Sequence, residues 1–325
     1  MKITANLSIL SNFTQINNMS VFAQVTSYFG IIIIGLGCVF NSLTLFIFRL
    51  NKELRKMSTI VILSFICVSD TLSLFTWNLD HFLVRYDIYV EDINLTSCKI
   101  FSFMQYSSLQ VSALLLSLCS IDRYFKIASK PGNLISKLPF GTFRSSLIWS
   151  ISIISFICLL NSILLISDRI VTKNKIDCYV LANGLKVNDS WDKLHMFIYS
   201  FIPFVIMTIF NVLLIKKMRL SIKINHVIVS NNNNNNNHSN KKNISLTLLI
   251  ISFVFLVMTF PSTIAFSFLA DIQDNNATAR SIFHLLDHLS FLYHTTLFFN
   301  CYLTNLKFRN FVFDCIKMMN PKIFK

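Results

Sequence analysis

Apolar residues gather along this chain into seven long blocks, at about residues 25–48, 59–83, 99–125, 145–167, 194–215, 244–270 and 280–303. Each block exceeds 20 residues, and about 20 suffice for a helix rising 1.5 Å per residue to cross a hydrocarbon core of ~30 Å. The pattern predicts an all-α fold, a bundle of seven transmembrane helices. An odd number of crossings puts the two chain ends on opposite sides. The chain then divides into an N-terminal segment 1–24, the bundle 25–303 and a tail 304–325. Between the fifth and sixth blocks, seven consecutive asparagines run from Asn231 to Asn237. They offer nothing to bury, so a flexible loop is expected over about 221–243.

Composition agrees with the pattern: 54% of the 325 residues are hydrophobic and only 14% charged, with 32 phenylalanines. Soluble domains carry about 25% charged residues, so a soluble enzyme and a disordered protein are both excluded. The partner this surface demands is a lipid bilayer. A net charge of +14 invites a nucleic-acid reading, but its distribution argues for topology. The loops after the first, third and fifth blocks, with the tail, hold 20 of the 29 Lys/Arg and three acids, Glu53, Asp122 and Asp314. Basic loops stay cytoplasmic, which places the N-terminus outside and the tail inside. No nucleic-acid partner is expected. The first 24 residues contain one basic residue, Lys2, and lack the features of a cleaved signal peptide; the first helix is expected to serve as its own signal. Six N-x-S/T sequons, at Asn6, Asn12, Asn18, Asn94, Asn188 and Asn276, fall on the outer side as glycosylation candidates.

Of the eight cysteines, only Cys98 and Cys178 share the oxidising side. That topology favours a disulfide tethering the outer loop across the bundle mouth over two unpaired thiols. Polar residues inside a membrane are costly and so point to function. Asp70 lies mid-span in the second block, with Asn41 in the first and Ser112 in the third. A lone buried carboxylate must be protonated, paired or bound to a cation, and a sodium ion near Asp70 is one candidate. At the cytoplasmic end of the third block stands Asp122-Arg123-Tyr124, where adjacent Asp and Arg can neutralise each other while the Arg snorkels.

In order and position, these residues resemble those of rhodopsin-like, class A, G-protein-coupled receptors. Asn41 matches the first-helix Asn and Asp70 the second-helix Asp. Asp122-Arg123-Tyr124 matches the D-R-Y motif, Trp149 the fourth-helix Trp, and Pro203 and Pro261 the fifth- and sixth-helix prolines. Cys98 and Cys178 match the family's disulfide, and Phe308, Arg309, Phe311 and Val312 its amphipathic eighth helix. The resemblance implies a multi-pass plasma-membrane receptor that binds an extracellular ligand and activates a heterotrimeric G protein through Asp122, Arg123 and Tyr124. No enzymatic chemistry and no cofactor are expected.

Departures from the family pattern are equally specific. Thr259 stands in Met258-Thr259-Phe260-Pro261 where the family has Trp. Leu297, Phe298 and Cys301 fall where N-P-x-x-Y is expected, and Lys241 replaces the acid that locks Arg123. Those departures keep a non-signalling or scavenger protein of the same fold as an alternative. Gln105 takes the place of the amine-binding Asp, which disfavours a monoamine. The seventh block has no Lys for retinal. A lipid ligand is compatible with both features. The outer acids and aromatic residues instead favour a short cationic or amidated peptide, for which Trp77, Gln105, Tyr106, Thr259 and Asp287 are the pocket candidates. Phe-rich helices and the tail L-T-N-L-K-F-R resemble invertebrate FMRFamide-type neuropeptide receptors. His284, His288 and His294 share the seventh block; buried, hydrogen-bonded histidines fit their spacing better than a zinc site.

Overall fold

In the computed structural model, which describes residues 21–83, 86, 88, 90–129, 139–166, 168–172, 175–180, 188–228, 236–269 and 277–319, each apolar block becomes a helix. They are α1 (Val21–Leu50), α2 (Ser58–Leu83), α3 (Leu95–Ala128) and α4 (Phe143–Ile166). Helix α5 runs through Asn188–Met196, Phe197–Phe201 and Ile202–Ile228. Helix α6 (Asn236–Phe268) follows, then α7 (Ala277–Tyr293, resumed as Leu297–Thr304) and α8 (Leu306–Met319). Single turns at Lys52–Arg55 and Val90–Ile93 fill two of the loops. One addition to the all-α expectation is an antiparallel hairpin between α4 and α5: β1 (Asp168–Thr172) pairs with β2 (Lys175–Val180), Thr172 opposite Lys175.

Helices α5 and α6 correct the expected loop, since they extend to Ile228 and back to Asn236. Once a helix is nucleated, each further residue adds a hydrogen bond, and Lys216, Lys217 and Lys223 are good helix formers. The polar sequence is therefore carried on as helix. Residues 229–235 lie outside the described residues, as does the side chain of Lys241.

Among the described residues, five spans are long and apolar enough to cross a membrane, on α1, α2, α4, α5 and α6. Helices α3 and α7 are not among them: α7 is divided into the shorter pieces Ala277–Tyr293 and Leu297–Thr304, and α3 is polar for a different reason. It is the central helix, packed by α2, α4 and α5, so its side chains meet protein instead of lipid. Ser102, Ser107, Ser108, Ser112, Ser117 and Ser120 are all buried there. Several bond backbone carbonyls, Ser117 to Ala113 at 3.1 Å among them. Helix α4 is the opposite case, with Ile148, Phe156 and Leu159 turned outward and Leu159 74% exposed. An apolar exterior of this kind suits lipid.

Small residues let α1 and α2 approach closely. A Cβ on Gly30 would stand 2.9 Å from the Asn78 carbonyl oxygen, and one on Gly37 only 2.1 Å from Leu74 Cδ1. Elsewhere the chain departs from the α-helix. Pro203 has no N–H and its ring crowds the carbonyl four residues back; the turn before it widens into the π-segment Phe197–Phe201, where the Ile202 N–H reaches Phe197 O. In α7 the amides of His294, Thr295 and Thr296 bond three residues back, to Phe291, Leu292 and Tyr293, at 3.0, 3.1 and 2.9 Å. The hydroxyls of Thr295 and Thr296 bond Leu292 O and Tyr293 O at 2.8 and 2.7 Å. Threonine competition for these carbonyls interrupts the helix without a proline.

Helix α8 starts where Asn305 Oδ1 accepts from the amides of Lys307 and Phe308 at 3.1 and 3.3 Å. Phe308 is buried between the rings of Phe48 and Phe298. Lys307 also bonds Glu53 in the first inner loop, which holds the exposed Glu53 carboxyl below its ordinary pKa. That ion pair persists above the lowered pKa and is lost as pH falls through it.

Candidate functional site

Three groups of polar residues are stacked along the bundle axis. At mid-depth α1, α2, α3 and α7 converge on Asp70, which is 1% exposed. Ser112 Oγ donates to Asp70 Oδ1 at 2.5 Å, and His294 Nδ1 meets the same oxygen at 2.7 Å. Asn41 Nδ2 donates to His294 O at 3.2 Å, a carbonyl that the break in α7 leaves free. His294 Nε2 lies 3.4 Å from the Tyr199 hydroxyl. The structure thus brings together the three expected residues, Asn41, Asp70 and Ser112, and adds His294, which is fully buried. The lone carboxylate thus meets a partner from within the chain. A hard cation wants several free oxygen ligands, and two of the oxygens here are already engaged: Asp70 Oδ1 meets two donors and His294 O accepts from Asn41.

Above this core a cavity of about 330 Å³ opens between α2, α3, α5, α6 and α7. Its aromatic wall is Trp77, Tyr106, His195, Tyr199 and Phe291. Edge contacts link Trp77 to Tyr106 (5.9 Å) and Tyr106 to His195 (4.8 Å), and His195 stacks on Tyr199 at 5.4 Å. The widened turn of α5 carries Tyr199. Gln110 Nε2 holds His195 Nδ1 at 3.1 Å, and Asn161 in turn donates to Gln110 Oε1 at 2.8 Å. On the cavity wall His81 Nε2 pairs with Asp287 Oδ2 at 2.8 Å, both half-buried. Of the five pocket candidates, Trp77, Tyr106 and Asp287 line this cavity. Gln105 and Thr259 do not line the cavity. Gln105 Nε2 donates to Thr76 O at 3.4 Å and Thr259 Oγ1 to Phe255 O at 2.8 Å, because a buried polar side chain first meets the nearest carbonyl. Ser262, Thr263 and Phe266 take their place on the α6 wall.

At the inner end Asp122 and Arg123 part company. Asp122 Oδ2 accepts from Ser58 at 2.9 Å and Thr59 at 3.4 Å; Oδ1 accepts from the Gly141 amide at 2.7 Å and Ser146 at 3.3 Å. That ties α3 to α2, α4 and the second inner loop. No hydrogen bond or ion pair joins Asp122 to Arg123 among the described residues; the carboxylate acts on the guanidinium through space. Arg123 does not snorkel either. It is 4% exposed, and its Nε and Nη2 have no hydrogen-bond partner among the described residues. Tyr124 is half-buried against Phe125 and Phe210.

On the outer side Cys98 is buried at the start of α3 and disulfide-bonded, while Cys38, Cys67, Cys119, Cys158, Cys301 and Cys315 are free. Strand β2, which carries Cys178, packs against α3, and the Cys178 side chain lies outside the described residues. Asn94 is exposed and caps α3, accepting from the Ser97 amide at 2.7 Å. Asn188 opens α5; Asn6, Asn12, Asn18 and Asn276 lie outside the described residues.

Sequence reasoning missed His81, His195 and the junction of His294 with Asp70. The signal for the last was present: one acid and one imidazole, each deep in an apolar block, each needing a partner.

Compared with curated protein sequences, the chain matches none. A sequence model of the family described as 7 transmembrane receptor (rhodopsin family) matches residues 40–313, which spans every helix from the middle of α1 to the middle of α8. With seven membrane helices, a buried polar core and the D-R-Y tripeptide at the inner end of α3, the chain is a multi-pass membrane receptor and belongs to the rhodopsin family of seven-transmembrane receptors.

Proposed function

We propose that this receptor sits in the plasma membrane, takes a short cationic peptide into its outer cavity and activates a heterotrimeric G protein through Arg123. The observation that carries the coupling step is the buried guanidinium, whose Nε and Nη2 lack partners among the described residues. A buried donor without an acceptor is costly, and Arg supplies several donors in a fixed fork. The cost is relieved when the inner ends of α3, α5 and α6 separate and a carbonyl or carboxylate of the G protein enters. Asp122 would position Arg123 by fixing the end of α3, and Tyr124 would stay on the aromatic rim.

For the ligand, support comes from the Asp287–His81 pair beside a wall of aromatic rings. A basic group can exchange with His81 for Asp287, while aromatic or aliphatic side chains lie against Trp77, Tyr106 and Phe291. Cys98 bonded to Cys178 would hold β2 over this opening, and Asn94 would carry a glycan on the same side.

The test is a screen of cationic and amidated peptides against the full-length receptor in cells, read as G-protein activation. Asp287→Asn is expected to lower the potency of an active peptide about tenfold or more, the scale of one buried charge-assisted contact. An active ligand of lipid class whose potency ignores Asp287→Asn would contradict the peptide assignment.

A further inference from the structure

The carboxylate at the centre of the bundle has three ways to be neutralised, and the structure supplies one of them from within the chain. We propose that His294 takes the place of a mobile cation at Asp70, so that a proton shared between imidazole and carboxylate, and not sodium, neutralises the core of this receptor. Asp70 Oδ1 meets Ser112 Oγ at 2.5 Å and His294 Nδ1 at 2.7 Å. The backbone oxygen freed by the break in α7, an obvious cation ligand, instead accepts from Asn41 Nδ2. This leaves Asn41 Oδ1, a buried oxygen without a partner, and Asp70 Oδ2, and two side-chain oxygens are not a coordination shell. With one proton shared between them, the Asp70–His294 pair would have no net charge whether that proton sits on the carboxyl or on the ring, and a cation entering beside it would be an uncompensated buried charge.

Geometry ties this internal neutraliser to the outer cavity. The ring that meets Asp70 through Nδ1 meets the Tyr199 hydroxyl through Nε2 at 3.4 Å, and Tyr199 lines the cavity. His294 is thus held from both ends: by the core through Asp70, and by the cavity wall through a residue on the widened turn of α5. A mobile ion could leave when the bundle rearranges. A side chain on α7 cannot, so the charge balance of the core moves with α7.

The experiment needs no ligand. Purified full-length receptor is melted while sodium chloride is exchanged for choline chloride at a constant ionic strength of about 0.15 M. The wild-type midpoint should not move. In His294→Asn, which removes the proton-sharing ring and restores an oxygen to the site, sodium should raise the midpoint by about 2 °C or more, the shift that a ligand well above its dissociation constant gives in a protein of this size. That gain should vanish when Asp70→Asn is added. Should His294→Asn not yield folded protein, the same gain is required of His294→Ser. A wild-type midpoint that climbs with sodium would overturn the proposal outright. So would folded His294 variants that ignore sodium, because something other than His294 would then be excluding the ion.

Discussion

Gly141 illustrates how one backbone angle serves the inner site. Its φ of 79° lies in the left-handed region, and its amide is the donor that reaches Asp122 Oδ1 at 2.7 Å. An added Cβ would find Lys126 Cβ at 3.4 Å, so the cost of a side chain arises from the backbone more than from crowding. Gly141→Ala should destabilise the receptor by about 1–2 kcal/mol, seen as a lower thermal midpoint. A midpoint equal to wild type would mean that the loop reshapes freely and does not anchor Asp122. At this scale much of the site was legible in the sequence. Asn41, Asp70, Ser112, Trp77, Tyr106 and Asp287 stand where their depth in the apolar blocks put them. Gln105 and Thr259 were misplaced because their side chains turn to backbone carbonyls, a choice that position alone does not reveal. The junction of His294 with Asp70 was not read because it depends on the interruption at residues 294–296, and a helix drawn straight through that point turns the ring elsewhere.

Among the elements, the seam between α1 and α2 leaves no room for a side chain at Gly37. Gly37→Ala would push a methyl group to 2.1 Å from Leu74 Cδ1, on a side chain with no exposure. Leu74 would have to leave its rotamer or the two helices separate. Overpacking of this kind typically costs about 1–3 kcal/mol. A thermal melt should show that loss, and Leu74→Ala in the same background should recover part of it by making room. If the double variant is no more stable than Gly37→Ala alone, the seam is not where the strain lies. All seven spans were legible because hydrocarbon demands long apolar runs, and that demand is written in composition. The π-segment and the break in α7 were not, because each follows from local competition for a carbonyl. The helical extensions of α5 and α6 escaped for a related reason: asparagine and lysine have no apolar face to announce a helix that the spans propagate.

Taken whole, the molecule is held from three sides. Outside is the disulfide at Cys98; at mid-depth is the Asp70–His294 pair; inside, Asp122 fastens α3 to α2 and α4. With Cys178 as the partner, the outer link closes a loop of about 80 residues, for which chain entropy gives ~4 kcal/mol. Cys98→Ala should therefore depress the melting midpoint and surface expression more than any of the glycine variants. Peptide mapping of the wild type should recover residues around 98 and 178 as one cross-linked fragment. Recovery of the second as a free thiol would reassign the outer loop.

What the anchors leave free is Arg123, buried with two nitrogens lacking partners, and signalling is assigned to that residue. The most direct measurement is nucleotide exchange on a purified heterotrimeric G protein by the reconstituted full-length receptor, wild type against Arg123→Ala, at equal receptor amounts and with equal thermal midpoints verified. The account predicts exchange catalysed by the wild type and reduced about tenfold or more in the variant, the effect of losing one charge-assisted contact. Equal exchange by the two receptors, or none above background by the wild type even with an active ligand bound, would contradict it.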